Sequence, residues 1–585
     1  MYSLITILFV CWSYVCGMNN ITSKVFGTDT SGLLAAFGDF NSDKLTDIFR
    51  ISNDRRTVDI LFGRDVEPIL QKSSVKCRFD AKTIITSVMP SDFDGDSKMD
   101  VLVTTITSDS ENETNEVRIL WGNKSNLDCD EDTHFAAIGQ PLVFDYDGDM
   151  IADLFGMNER GIKTVWTFGA GRNFTEIRLG HDRSKLAIPH SCAFVDLNGD
   201  MVADLFVTCE ESIQYWINDR GKFELNVSLP YPKDAVLRGQ VTFGDINSDG
   251  VLEKILPVCK DPSCFSSSIM VWDETKEDWE TLFSDFQRDN ATWGFGPLGR
   301  TVLEKSTFPI VLRMADFNMD GYPDFLGIVQ SKVTNISKAI LLINKECSTC
   351  PFGRTLHADW TLADLDHSNN NVQIATFYDI FQNGKMDILL VSQNNNKWQI
   401  SAIENIVSYD AYFIKVLVLN GLCYVDCVDG NIPYGTNYPG PFIKYYTTDS
   451  DSSKRRSSSV QLHQSAYFSL QLPYSVFGLG ETPNFVDKLY VTIPGFSNDN
   501  VRKHEWNQII PNSQMVIIPH PPENPKKWVN KLFVTPSRLV ILTLLALVGT
   551  CIVICTIIGL LHWKEKREDR REKLQEAHRF HFDAM

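Results

Sequence analysis

DYDGDMIAD, residues 145–153, places Asp145, Asp147, Asp149 and Asp153 within nine residues and runs straight into the apolar pair Leu154 and Phe155. Carboxylates this close repel one another unless something positive lies among them. The pattern recurs along the chain. DFNSDKLTD occupies 39–47, DFDGDSKMD 92–100, DLNGDMVAD 196–204, DINSDGVLE 245–253, DFNMDGYPD 316–324, and a degenerate DIFQNGKMD 379–387. Successive loops start 53, 53, 51, 49, 71 and 63 residues apart. Internal repeats of about 50 residues indicate a solenoid or a propeller.

Each acidic loop is entered by a short apolar run (AAFG, LVF, CAFV, VTFG) and left by another (IFRI, LFGM, LFVT, FLGI). These runs are about five residues long and rich in Val, Ile, Phe, Leu and Thr, which predicts strands on both sides of the loop. Further alternating runs such as VRILWG and IQYWIND lie between the loops, with Asn, Gly and Asp turns. Some 50 residues accommodate about four strands with their turns, the content of one propeller blade. The repeat therefore predicts an all-β fold, a seven-bladed β-propeller over residues 20–405.

Asp or Asn at positions one, three and five, a backbone carbonyl at seven and a carboxylate at nine make an oxygen-rich set of the kind Ca2+ requires. The candidate ligands are Asp39, Asn41, Asp43 and Asp47 in loop one, and Asp92, Asp94, Asp96 and Asp100 in loop two. Loop three offers Asp145, Asp147, Asp149 and Asp153, and loop four Asp196, Asn198, Asp200 and Asp204. Loop five offers Asp245, Asn247, Asp249 and Glu253, and loop six Asp316, Asn318, Asp320 and Asp324. Gly at position four (Gly95, Gly148, Gly199) or six (Gly250, Gly321) eases the curl of the backbone. Mg2+ suits such loops less well because it demands stricter octahedral geometry. An EF-hand also begins D-x-D-x-D, but its twelfth position needs a bidentate Glu. Four of these loops have Val103, Gly156, Val207 and Leu256 there, and their flanks are strands. The seventh loop has Phe381 where an oxygen is wanted and is not expected to bind calcium.

Two apolar segments set the expected topology. Residues 1–17 read as a signal peptide, YSLITILFVCWSYVC followed by Gly17, without the usual basic start. Residues 539–561 carry no charge, enough for a transmembrane helix across about 30 Å of hydrocarbon. Lys564, Lys566, Arg567, Arg570, Arg571 and Lys573 follow as a basic cytoplasmic flank. The expectation is a single-pass type I protein of the plasma membrane, N-terminus extracellular, with a cytoplasmic tail over 562–585. Seven glycosylation sequons, Asn20, Asn112, Asn123, Asn173, Asn226, Asn290 and Asn335, lie on the expected outer side. Ten cysteines there fall in near pairs, Cys77 and Cys129, Cys192 and Cys209, Cys259 and Cys264, Cys347 and Cys350, Cys423 and Cys427. In an oxidising compartment these read as local disulfides. A net charge of −19 argues against a nucleic-acid partner, which needs a basic surface.

The repeats resemble the FG-GAP repeats of the integrin α-chain propeller, down to Phe37-Gly38 and Phe243-Gly244 just ahead of acidic loops. The chain departs from integrin α-chains in its shorter length and in LHWKEKRE (561–568) after the span, where they carry a GFFKR-like sequence. PYGTNYPGPFIKY (433–445), LPYSVFGLGETPNFVDKLYVTIP (472–494), IIPNSQMVIIP (509–519) and the ending EAHRFHFDAM (576–585) resemble the T-cell immunomodulatory protein, or linkin, family. With the repeats, that resemblance covers essentially the whole chain. It implies adhesion or cell–cell signalling through the ectodomain, including modulation of T cells. It also implies RuvB-like ATPases and tubulin as cytosolic partners at the tail. The extracellular protein ligand is not readable from the residues.

Residues 406–520 lack acidic loops, and AYFIKVLVL (411–419), AYFSLQL (466–472), KLYVTI (488–493) and MVIIP (515–519) read as strands of a small β-sandwich. DSDSSKRRSSS (449–459) reads as a polar mobile loop with a solvated KRR, and 521–538 as a Pro-rich spacer to the membrane. The chain has eleven His but no HExxH, no G-x-S-x-G elbow and no P-loop, so no enzyme is expected. Two other readings stand beside the surface-receptor one. One is a shed or secreted ligand released by cleavage near 520–535, and the other a hydrolase using the propeller's central face.

Overall fold

In the computed structural model each acidic loop joins the first and second strands of an antiparallel blade, and seven blades follow one another from residue 17 to 406. The structure describes residues 17–582 except 108–113, 124, 297–307, 366–369, 396, 407–410, 424–433, 449–451, 465–467, 469, 482–484, 498–499 and 535–537. The expected leader before Gly17, the sequon Asn112 and Cys427 lie outside the described residues.

Blade one consists of Leu33–Gly38, Asp47–Ile51, Thr57–Gly63 and Leu70–Arg78, paired in chain order. Blades two and three share one long strand, Asn126–Phe144. It pairs with Thr114–Asn123 as the outer strand of blade two, then with Asp153–Asn158 as the inner strand of blade three. Blade four is Ala193–Val195, Asp204–Thr208, Ser212–Asp219 and Lys222–Pro230. In blades five and six the inner strand is broken into two pieces, both paired with the second strand, Glu253–Cys259 or Asp324–Ser331. Blade seven combines Val372–Tyr378, Asp387–Asn394 and Lys397–Ile406 with the N-terminal strand Gly17–Asn20, which pairs with the last of them. The two ends of the repeat thus close the ring in one sheet.

Second strands such as Asp47–Ile51, Asp204–Thr208 and Glu253–Cys259 are buried along their whole length. A strand covered on both faces reads as an unbroken apolar run, which explains IFRI, LFVT and their relatives. The cover is the neighbouring blade. Phe144 and Phe155 of blade three pack with Phe194 and Leu205 of blade four, and Phe206 of blade four packs with Phe243 of blade five. The cluster containing Phe37 and Phe49 of blade one also takes in Leu389 and Ile400 of blade seven, so the apolar layer runs round the ring without a break.

The residues after 406 form two four-stranded sheets. One orders Ser475–Gly480, Tyr412–Val418, Ser513–Ile518 and Val529–Val534, and the other Lys454–Val460, Phe442–Thr448, Val486–Ser497 and Asn500–Ile509. Val416, Tyr445, Leu489, Val491 and Met515 fill the layer between them. Three expectations change here. The KRR stretch is part of strand Lys454–Val460, paired along Phe442–Thr448, and not a loop, although Lys454 and Arg456 are exposed as expected. The described residues of 466–472 form no strand, because Ser475–Gly480 takes the edge place beside Tyr412–Val418. The expected spacer contributes Val529–Val534, which completes a sheet by pairing with Ser513–Ile518. Separate from this unit, Arg538–Phe582 is one continuous α-helix, and Leu542–Glu576 is the helix long and apolar enough to cross a membrane among the described residues.

Disulfides join Cys77 to Cys129, Cys259 to Cys264 and Cys347 to Cys350, and Cys423 is disulfide-bonded. The first links adjacent blades. Cys192 and Cys209, expected as a pair, are buried free thiols. The paired register between the two strands ends at Ala193 and Phe206, before either cysteine, and the Ser184 hydroxyl contacts the Cys209 sulfur at 3.2 Å. Alkylation of the denatured, unreduced protein is therefore expected to modify Cys192 and Cys209 and to spare the three bonded pairs; a peptide cross-linked through 192 and 209 would contradict this register.

Candidate metal centres at the face of the propeller

The aspartate at position one of every loop accepts two backbone N–H groups from its own loop. Asp145 takes those of Gly148 at 2.7 Å and Met150 at 3.0 Å, and Asp379 in the degenerate loop takes those of Asn383 at 2.9 Å and Gly384 at 3.1 Å. Positions four and six are left-handed in every loop. In loop three these are Gly148 at φ 77° and Met150 at φ 76°, and in loop one Ser42 at φ 59° and Lys44 at φ 76°. The glycine alternating between the two positions thus relieves one strained site of a pair, and loop one does without either.

Position nine has a structural task beside the ligand role that its spacing suggests. Asp153 accepts the N–H of Tyr146 at 2.8 Å and that of Phe168, on the third strand, at 2.8 Å. Asp47 does the same with Phe40 and Gly63, Asp100 with Phe93 and Gly122, and Asp204 with Leu197 and Asn218. Asp324 and Asp387 repeat it with Phe317 and Asn344, and with Ile380 and Asn405. Glu253 holds Ile246 at 2.8 Å. The last acid is a brace between loop and hairpin, kept even in the seventh loop.

The converging oxygens are those of positions one, three and five. Carboxylate atoms of Asp92, Asp94 and Asp96 come within 4.8 Å of one another, as do those of Asp145, Asp147 and Asp149. Loops one, four, five and six replace the middle carboxylate by Asn, whose amide donates to the position-five acid, as from Asn41 to Asp43 at 2.9 Å. Burial pushes Asp39 and Asp92 up to about 7, with nearby carboxylates adding to the effect. Burial and Asp145 push Asp153 up to about 9, and burial and Asp245 do the same for Glu253. All-oxygen donors, several of them crowded carboxylates, fit a hard divalent cation, most fully in loops two and three. In loop two Arg172 of blade three already touches Asp94 at 3.0 Å.

Loop seven carries its own cation. Lys415, from the strand Tyr412–Val418, places its buried ammonium 3.0 Å from Asp379 and 2.8 Å from Gln382. Lys415 is one of several residues by which the second domain sits on the acidic face. Tyr438 donates to Asp145, Asn420 to Asp92 at 3.1 Å, and the N–H of Ser458 to Asp245 at 3.1 Å. Loop carbonyls take cationic groups: Gly148 receives Arg502 at 2.7 Å, Gly250 receives Lys444 at 2.8 Å, and Asp320 receives Arg455 at 3.2 Å. Sequence reading missed all of these partners, including Arg455, which lies in the KRR stretch it assigned to solvent. Residues 406–534 are nearly charge-balanced, with 11 Lys and Arg against 10 Asp and Glu, so charge counting offers no signal for these contacts.

A family model described as FG-GAP-like repeat matches residues 196–255, and one described as ITFG1, C2 domain matches 433–533. The chain is 40% identical over 584 residues to T-cell immunomodulatory protein of Homo sapiens, covering 97% of this chain and 95% of that protein. It is 28% identical over 621 residues to protein linkin of Caenorhabditis elegans, covering 99% and 100% respectively.

Two measurements check the site. Carboxylates whose folded pKa is raised bind protons more tightly in the native state, so their contribution is favourable below the unfolded value of about 3.9 and is lost as pH rises toward about 7 to 9. In chelator, at constant ionic strength, the melting temperature is therefore expected to fall between about pH 5 and pH 8, and a millimolar divalent cation to abolish that slope. Gly148 and Gly199 occupy the same left-handed position, but a Cβ on Gly148 meets the Gly495 Cα at 2.9 Å whereas one on Gly199 meets nothing within 4 Å. Gly199→Ala is expected to cost about 1–2 kcal/mol. Gly148→Ala adds a further ~1–3 kcal/mol of overpacking between the domains, readable by denaturant unfolding.

Proposed function

The chain belongs to the T-cell immunomodulatory protein family, and from that premise we propose that it is a type I surface glycoprotein whose calcium-stabilised propeller presents an extracellular binding surface for adhesion or cell–cell signalling, including modulation of T cells. Sidedness carries the proposal. The disulfides and the sequons all precede the one helix among the described residues that is long and apolar enough to span a membrane, and a run of Lys and Arg follows it. The role is non-catalytic: the acids of the propeller are taken up by loop N–H groups, by the second domain and, in this reading, by Ca2+. The helix continues to Phe582 beyond the apolar stretch, which suits docking of cytosolic proteins such as RuvB-like ATPases or tubulin.

Calcium is proposed for loops two and three first, because three carboxylates converge there. Binding to the native state alone raises stability by mass action, about 2.7 kcal/mol at a hundredfold excess over Kd. Full-length protein in detergent is expected to melt several degrees higher in millimolar calcium than in EDTA, and Asp147→Ala to shrink that gap. No gap in the wild type removes calcium from the proposal. Topology is checked separately on intact cells. A tag inserted after residue 20 is expected to stain without permeabilisation and a tag after 585 only with it; the reverse pattern would overturn the orientation.

A further inference from the structure

The helix Arg538–Phe582 runs unbroken from its apolar stretch into its charged one, and its side chains from Leu542 to Glu576 are all exposed. At about 100° per residue, Cys555 and Lys573 point in the same direction, five turns apart. Measured from that direction, Glu565, Glu568, Asp569, Glu572 and Glu576 all fall on one side of the helix, about 40–140° round the axis. Lys566, Arg567, Arg570 and Arg571 all fall on the other side, about 20–160° round. Lys564 lies at the back, where it meets Glu568 at 4.0 Å. Charges on a merely solvated helix intersperse the two signs. Here an acidic stripe and a basic stripe meet along one line.

The same line is the thin side of the apolar stretch. Cys551, Cys555 and Gly559 follow one another at intervals of four residues and lie within about 40° of it. Cys551 and Cys555 are free thiols in a shallow groove that Val548, Ile552 and Thr556 also line. A Cβ on Gly559 would meet nothing within 4 Å. Small residues on one face let helix backbones approach closely in lipid.

Charge complementarity selects the occupant of this face. A parallel two-fold pair built on the line sets the acidic flank of each helix against the basic flank of the other, on both sides of the contact. An antiparallel pair would set acid against acid and base against base. Copies that span one membrane with one topology meet only in the parallel sense and at the same depth. The stripes therefore complement themselves under the one symmetry the membrane permits. Anionic lipid would answer only the basic stripe. The helix also carries Arg570, Arg571 and Lys573 about 13–18 Å past Leu561, beyond a Debye length of about 8 Å.

We infer that this helix is a self-association surface that pairs in parallel with a second copy of the chain. Cys551, Cys555 and Gly559 make the contact within the bilayer, and beyond it Asp569 of each copy faces Arg570 of the other. The small residues supply close packing. The stripes supply the choice and sense of partner, since exposed ion pairs add little energy by themselves. The pairing rests on the reading of this helix as a span and uses neither calcium nor the side on which the ectodomain lies.

The test uses membranes of cells that co-express the full-length chain with two different tags. Oxidation with copper phenanthroline is expected to give a disulfide-linked dimer that carries both tags and disappears on reduction. Cys551→Ala with Cys555→Ala sets the background. Adding Val553→Cys to that pair puts a thiol about 160° from the line and is expected to give at least fivefold less dimer than the wild type. Asp569→Lys and Arg570→Glu, each expressed alone, set like charges across both flanks and are expected to lower the yield about threefold or more. Co-expressing the two variants makes both flanks opposite in sign again and is expected to restore it. A yield indifferent to these charges, as a basic stripe held by lipid predicts, overturns the inference. No dimer in the wild type, equal yields from the two faces, or no recovery on co-expression overturns it as well. Alkaline carbonate separates the two levels of failure: protein it releases removes the span and the pairing together, whereas retained protein without a dimer removes the pairing alone.

Discussion

A buried carboxylate that accepts two backbone N–H groups is the interaction on which this structure rests. At the ninth position of each loop it fastens the turn to its own blade, and in six blades it also reaches the third strand, as Asp153 does through Tyr146 and Phe168. Burying such a group is expensive, and the surroundings that raise its pKa are the measure of that expense. The hydrogen bonds offset part of it and fix the loop in one conformation. Asn344 and Asn405, which donate their N–H to the brace, extend it sideways. Their side-chain amides hold the carbonyls of Ile246 and Phe317 in the preceding blade, each at 2.9 Å. A local turn motif thereby becomes part of the contact between blades.

With the brace in place, the first five residues of each loop are presented on one face with their oxygens crowded together. The face meets its excess charge in more than one way. Loops two and three keep three carboxylates and invite a divalent ion. Loop seven has lost the middle oxygen and is served by Lys415. Arg502, Lys444 and Arg455 meet the carbonyls of three other loops. The second domain therefore does not hang from the propeller as a passive stalk. It is seated on the acidic loops by charge complementarity, at contacts close enough that Gly148 and Gly495 touch backbone to backbone.

Much of the fold was legible because the repeat carries it locally. The spacing of the loops, the apolar run after each and the acids at fixed offsets all lie within short stretches, so the count of blades and the placing of strands follow from pattern. The position-one and position-nine acids were found by the same means, although spacing alone could not tell a ligand from a brace. The second domain was less legible. Lys454–Val460 is polar because one of its sides faces the acidic loops, so its strand has no apolar alternation to read. Val529–Val534 follows prolines that suggest a spacer, and pairing with Ser513–Ile518 overrides that local signal. Cys192 and Cys209 are near in sequence and flank paired strands, but the pairing stops short of both, so their separation is set by the packing of blade four as a whole.

The sequence by itself determined an all-β ring of seven acidic repeats, a following β-rich domain and one apolar helix, because period, strand propensity and hydrophobic length are properties of neighbouring residues. Tertiary structure alone decided which acids brace the hairpins, that Lys415 meets Asp379, and where the second domain sits. These depend on side chains up to a few hundred residues apart, such as Asn420 and Asp92, and what brings them together is closure of the ring and burial of its charged face.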